Sequence, residues 1–172
     1  MRLRPLALVS GIALGAAVLT GPAADAADTT VTFTVTSGAL TITAPAGPVS
    51  LGSAAAGGTV SGPIGAVTVT DARGGVPTSA WTARVSSTAF AGPSDTVPAS
   101  AATYTPGPGT LIVGDGMLSP GPGGTLDVQR VAMTYTGGTG NSQATWNPTI
   151  SVNIPLSAGL GTYSGTVTHS VA

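Results

Sequence analysis

The sequence predicts an all-β chain folded as an antiparallel sandwich, and three observations predict it. Apolar residues alternate with Thr and Ser along much of the chain, the period-two signature of strands with one buried and one wet face. Glycine and proline, 26 and 14 of 172 residues, punctuate these runs at short intervals. No stretch after the first 26 residues carries helical spacing. The run LGSAAAGGTV has alanines, but its glycines and lack of period count against a helix.

The elements follow in chain order. Residues 1–26, MRLRPLALVSGIALGAAVLTGPAADA, read as a secretory signal peptide. Arg2 and Arg4 make the basic start, Leu6 to Leu19 an uncharged apolar run, and Ala24 and Ala26 the small residues of a cleavage site. The apolar run of fourteen residues is short for a membrane span, which needs about 20. The mature domain is expected to be 27–172, with no further apolar segment and no sorting signal in its closing run GTVTHSVA. It opens with TTVTFTVTSG, where Val31, Phe33 and Val35 alternate with threonines and predict a strand. Leu40 and Ile42, then Val67 and Val69, then Trp81, Ala83 and Val85 continue the pattern. Ile150, Val152 and Ile154 predict another strand, and Tyr163, Val167 and Val171 the last. Many short one-faced strands in a domain of this size suggest an immunoglobulin-like sandwich. Residues 87–107 read as a long excursion with a short strand at its end, and the Gly/Pro-rich 106–125 as a second loop. Both are expected at one end of the sandwich, as binding loops or as a variable insertion.

Charge narrows the partners. The mature chain holds Arg73, Arg84 and Arg130 against Asp28, Asp71, Asp95, Asp115 and Asp127, with no lysine and no glutamate. A small negative balance argues against nucleic acid and anionic membranes, which need a basic footprint. There is no cysteine, and a domain this large needs no disulfide to bury a core.

Catalytic chemistry has little to stand on. His169 is the single histidine, and the aspartates are scattered one by one, so no metal cluster and no cofactor is expected. A nucleophile elbow is missing; GNSQA is the nearest string. Paired carboxylates for glycosidase work are missing too. The chain is therefore expected to be no enzyme, with a hydrolase built on His169 as the outlying case. By strand parity His169 shares the apolar face of Tyr163, Val167 and Val171.

The stretch DARGGVPTSAWTARVSS, residues 71–87, concentrates what polarity there is. Asp71 ends a strand and caps the turn, Arg73 stands close enough to pair with it, and Trp81 begins the next strand with Arg84 on the wet face. Two readings follow. The indole plugs the sandwich beside a local ion pair, or Trp81 is a stacking surface for a sugar with Asp71 and Arg73 as polar partners.

The runs VTVTDARGG, AWTARVSST and VPASAATY, with the closing TWNPTISVNIPLSAGLGTYSGTVTHSVA, resemble the WxL surface domain of Gram-positive bacteria in its actinobacterial form. The likeness covers nearly all of the mature chain. It departs at both signature motifs: Trp81-Thr82-Ala83 has Ala where Leu is expected, and His169-Ser170-Val171 has no tryptophan. The resemblance implies a secreted, extracellular protein held non-covalently at the cell wall by peptidoglycan binding. The residues to carry that binding would be Trp81, Asp71, Arg73, Trp146, Tyr163 and His169. The alternative is a structural coat or adhesin subunit that joins other surface proteins through edge strands.

Overall fold

The computed structural model describes residues 28–74 and 78–172. The expected signal peptide lies outside the described residues. Two units divide the chain, Met1–Thr34 and Val35–Ala172. The second is all-β, with fourteen strands and a single 3-10 turn at Ala99–Ala101 among its described residues. In chain order the strands are β1 (Leu40–Thr43), β2 (Thr59–Pro63), β3 (Val67–Asp71), β4 (Ser79–Ser87), β5 (Phe90–Ala91), β6 (Thr96–Val97) and β7 (Ala102–Thr105). They continue with β8 (Gly109–Val113), β9 (Met117–Pro120), β10 (Gly124–Thr125), β11 (Arg130–Gly138), β12 (Ser142–Trp146), β13 (Thr149–Asn153) and β14 (Val167–Val171).

Every ladder is antiparallel, in the orders β1-β3-β12-β8, β10-β7-β13-β2 and β14-β4-β11-β9, with β5 and β6 as a small separate hairpin. The first two sheets are halves of one bent layer. β2 runs into β3, β12 into β13 and β7 into β8, so the β13–β2 and β13–β7 pairs on one side of the bend continue as β12–β3 and β12–β8 on the other. The bend falls where proline removes ladder donors: Pro63, Pro106, Pro108 and Pro148. Gly65 and Gly107 turn there with φ of +96° and +70°, values a side chain disfavours. Ile64 N–H donates to the Pro148 carbonyl at 3.0 Å, and Gly65 N–H to Asn147 Oδ1 at 3.1 Å, so the kink keeps two cross-links.

β14-β4-β11-β9 makes the opposing layer. Between the layers lie Val67, Val69, Trp81, Ala83, Val85, Met133, Tyr135, Ala144, Trp146 and Ile150, all buried. Most sit on the parity that alternation assigns; Ala132 and Met133 are buried side by side because β11 bulges between Val131 and Met133.

Several expectations need correction. The run TTVTFTVTSG forms no strand: residues 28–37 join no ladder among the described residues, Gly38 and Ala39 share two backbone hydrogen bonds with Ala72, and Val31, Phe33 and Val35 are 82%, 87% and 84% exposed. Alternation supplies a strand's face but not its neighbour, and an unpaired strand has no ladder. Residues 106–125 are not a loop, since they supply β8, β9 and β10. Their glycines and prolines mark the ends of short strands. Residues 87–107 end in the expected short strand, β7, and hold the β5–β6 hairpin besides. The final strand begins at Val167, leaving Tyr163 in the preceding loop, where Ser164 bridges to Ala91. β11, which the sequence reading does not assign, is a central strand of the second layer.

Candidate functional site

The six candidate residues fall in three places. Asp71, Arg73 and Trp81 meet at one end of the sandwich. Asp71, 1% exposed, ends β3 and accepts from Arg73 Nε at 2.9 Å, Arg73 Nη2 at 2.8 Å, Arg73 N–H at 3.1 Å and Ser79 Oγ at 3.1 Å. Arg73 Nη2 also donates to the Ala80 carbonyl at 3.0 Å. This two-pronged fork fixes the β3–β4 turn and holds the Asp71 carboxyl below the usual carboxylate range, mainly through the Arg73 side chain, against the opposing effect of burial. Arg73 is 45% exposed and borders a shallow cleft of about 330 Å³. Its donors are turned back onto the protein, so the pair reads as a structural clip.

Trp81 lies inside the sandwich at 2% exposure. Its indole stacks on Tyr135, ring centres 5.6 Å apart at 19°, and donates from Nε1 to Ser142 Oγ at 3.1 Å. No face is open to a sugar, which corrects the stacking reading of this residue. Trp146 is covered to the same degree and gives its Nε1 hydrogen to Tyr104 Oη at 3.0 Å. Both indoles are core pieces with their single donors satisfied, as buried tryptophans require.

Tyr104, not among the candidates, connects the other two places. Its hydroxyl accepts from Trp146 and lies 3.2 Å from His169 Nε2. Trp146 uses one lone pair of the Tyr104 hydroxyl, and which partner donates between Tyr104 and His169 follows from the imidazole tautomer. The Nδ1 atom is buried and has no partner among the described residues. Burial raises the Tyr104 pKa to about 12 and lowers that of His169 to about 4. The imidazole is neutral near pH 7. Between about pH 6.5 and 4 the unfolded chain takes up a proton that the fold refuses, so stability falls as pH drops through that window. The urea midpoint should therefore fall from pH 7.5 to pH 5. In His169→Gln, which keeps an acceptor for Tyr104, that drop should shrink; an unchanged drop would place its origin elsewhere.

His169 and Tyr163 reach a common groove. It has a volume of about 1020 Å³ and lies beside β2, β13 and β14, under the loops 44–56 and 158–166. Val60, Ile150, Val152 and Val167 give it an apolar floor, and neither aspartate nor arginine lines it. Tyr163 stands on the rim, its hydroxyl donating to Asp95 and lying 3.0 Å from the Gly159 carbonyl. Asp95 also accepts from Gly159 N–H at 3.1 Å, and so pins the 159–163 loop to the β5–β6 hairpin. The Asp95 carboxylate pushes the Tyr163 phenol above its ordinary range. Among the described residues β2 and β14 each carry a ladder on one side only.

No family model matches this chain, and no curated protein or solved structure matches it. Chemistry alone must then assign the site. Among the described residues no three His or Asp side chains gather as a metal would need. Among the described residues the side chain hydrogen-bonded to His169 is the Tyr104 phenol. Neither Tyr104 nor Asp95 is among the sequence candidates, although Tyr104 closes the run VPASAATY and Asp95 is one of the scattered aspartates. Tyr104 was detectable only as the large member of the alternating pair Ala102 and Tyr104.

Proposed function

We propose that the chain is a non-enzymatic surface protein, exported by its signal peptide, that assembles with other surface proteins as a coat or adhesin subunit. One observation carries this reading. An uncharged apolar groove of about 1020 Å³ lies beside β2 and β14, whose outer edges have no ladder partner among the described residues. Such edges associate with other chains unless covered or charged, and neither edge strand contains a charged residue apart from neutral His169. Light scattering on the protein as its producing cell processes it should show oligomers that grow with concentration. A monomer at every concentration would sink the proposal.

A second reading rests on Tyr163 and His169, which place an aromatic rim and a ring nitrogen at the same groove. By the resemblance to WxL domains, this would be non-covalent attachment to peptidoglycan. With both tryptophans in the core, Tyr163 becomes the side chain to carry it. Sedimentation with purified peptidoglycan should then exceed that of an unrelated β-protein and weaken in Tyr163→Ala. Equal sedimentation of the two proteins would dispose of it.

A further inference from the structure

Rings fill one part of the space between the layers: Trp81, Tyr104, Tyr135 and Trp146 are all buried there. Beside β2, β13 and the start of β14 that space is not filled, and the groove of about 1020 Å³ remains. It is an open piece of the core. Val97, Ile150 and Val152 line it and are core residues, and Val60, Phe90 and Val167, which also line it, pack against that core.

The kind of surface decides what suits it. Val60 and Val152 are partners across the β2–β13 ladder, and Ile150 lies two residues from Val152 on the same face. β13 is laddered on both sides, so its backbone N–H and C=O groups are spent within the sheet. The floor is a sheet face that offers side chains and no backbone partner. A peptide or a sugar lying on it would bury polar groups of its own without partners, whereas a hydrocarbon chain has none to bury. Charge agrees. Among the described residues no aspartate or arginine lines the groove. Its titratable groups, His169 and Tyr163, are both uncharged near pH 7, since burial lowers the imidazole to about 4 and Asp95 pushes the phenol up.

Size agrees as well. From Ile150 to Ile154, both in the lining, is four strand steps, about 13 Å. An acyl chain in one leaflet spans half of a hydrocarbon core about 30 Å thick, about 15 Å. The mouth is apolar too: Val49 and Leu160, one from each covering loop, line the groove and are 44% and 99% exposed. Aliphatic side chains held in water at a rim gain cover when the groove is filled.

We infer that the groove binds one long acyl chain of a lipid, laid between the layers along β13 with the headgroup outside. The assembly reading concerns the outer edges of β2 and β14; this inference concerns the space between the layers and stands without it.

The test uses the processed protein, delipidated, in calorimetric titrations. Palmitic acid and palmitoyl-lysophosphatidylcholine share the chain and differ in headgroup, and both should bind saturably at one site per protein. Octanoic acid has eight fewer CH₂ groups, each worth about a fourfold change in affinity when buried, and should bind at least a hundredfold more weakly than palmitic acid. Val60→Trp combined with Val167→Trp narrows the groove from both layers and should weaken both palmitoyl ligands at least tenfold at an unchanged urea midpoint. Leu160→Asp alters a side chain with almost no cover, so it should keep the fold and weaken palmitoyl-lysophosphatidylcholine at least threefold. No saturable binding of either palmitoyl ligand would overturn the inference. An affinity indifferent to chain length, or unchanged in both folded variants, would overturn it as well. Glycerophosphocholine binding as tightly as its palmitoyl form would assign the contact to the headgroup instead. Solubilised peptidoglycan binding where neither palmitoyl ligand does would give the groove to the wall polymer. Light scattering on the same samples keeps the two proposals apart: oligomers without lipid binding overturn only this inference, and a monomer that binds one chain overturns only assembly.

Discussion

Trp81→Ala should cost the fold about 3–5 kcal/mol, the range for emptying a buried indole site. The ring is 2% exposed, stacked on Tyr135, and its Nε1 is the donor to Ser142. Alanine leaves a cavity between β4 and β12 and a buried Ser142 hydroxyl without its partner. Trp81→Phe keeps most of the stacking surface and loses the hydrogen bond, so it should cost less, about 1–3 kcal/mol. Urea unfolding followed by circular dichroism would separate the two, since Trp146 complicates a fluorescence readout. A near-neutral Trp81→Ala would mean that the indole serves something other than packing. The order alanine worse than phenylalanine is the signature of a core role; a stacking site for sugar would show lost binding at intact stability.

Asp71→Ala should be the next largest, at about 2–3 kcal/mol, because hydrogen bonds to a charged group are worth more than neutral ones. The carboxylate is buried and accepts four hydrogen bonds across the β3–β4 turn. Two considerations keep the cost below that of an isolated buried charge. Arg73 is 45% exposed and can rehydrate, and Ser79 has a rotating hydroxyl. The sign with pH follows from the lowered carboxyl pKa. Below its value in the fold, both folded and unfolded chains are protonated and the contribution is gone. Above the ordinary 3.8 it is fully present. Stability should thus be lost as pH falls below about 4, a window separate from that of His169, and Asp71→Asn should flatten this acid limb. An acid limb that survives in Asp71→Asn would assign it to other carboxylates.

Much of the Asp71–Trp81 corner was legible. Spacing alone put Asp71 at a strand end, Arg73 within reach of it, Trp81, Ala83 and Val85 on a buried face, and Arg84 in water, and the structure places all of them so. These are local relations, fixed by a turn and by a period of two, and a few residues of chain determine them. The ring network of Trp146, Tyr104 and His169 was not legible. Its members are 42 and 65 residues apart in sequence, and only the packing of two layers brings them together.

The misreadings have one cause. Threonine and valine in alternation look the same whether a neighbour exists or not. Residues 29–36 therefore read as a strand and stand unpaired, while Gly/Pro-rich 106–125 read as a loop and supply β8 and β9, one edge of each layer. A strand is half a structure, and its other half is the strand beside it.

What the sequence by itself determined is the class: an all-β antiparallel sandwich, uncharged on most of its strands, with faces assigned by parity. Only the tertiary structure decided which strands find partners, that both indoles are sealed in the core, and that an apolar groove opens between β2 and β14. The physical reason is range. Parity and turn chemistry act over a few residues, whereas burial and strand pairing are set by segments tens of residues away that the chain must first fold to meet.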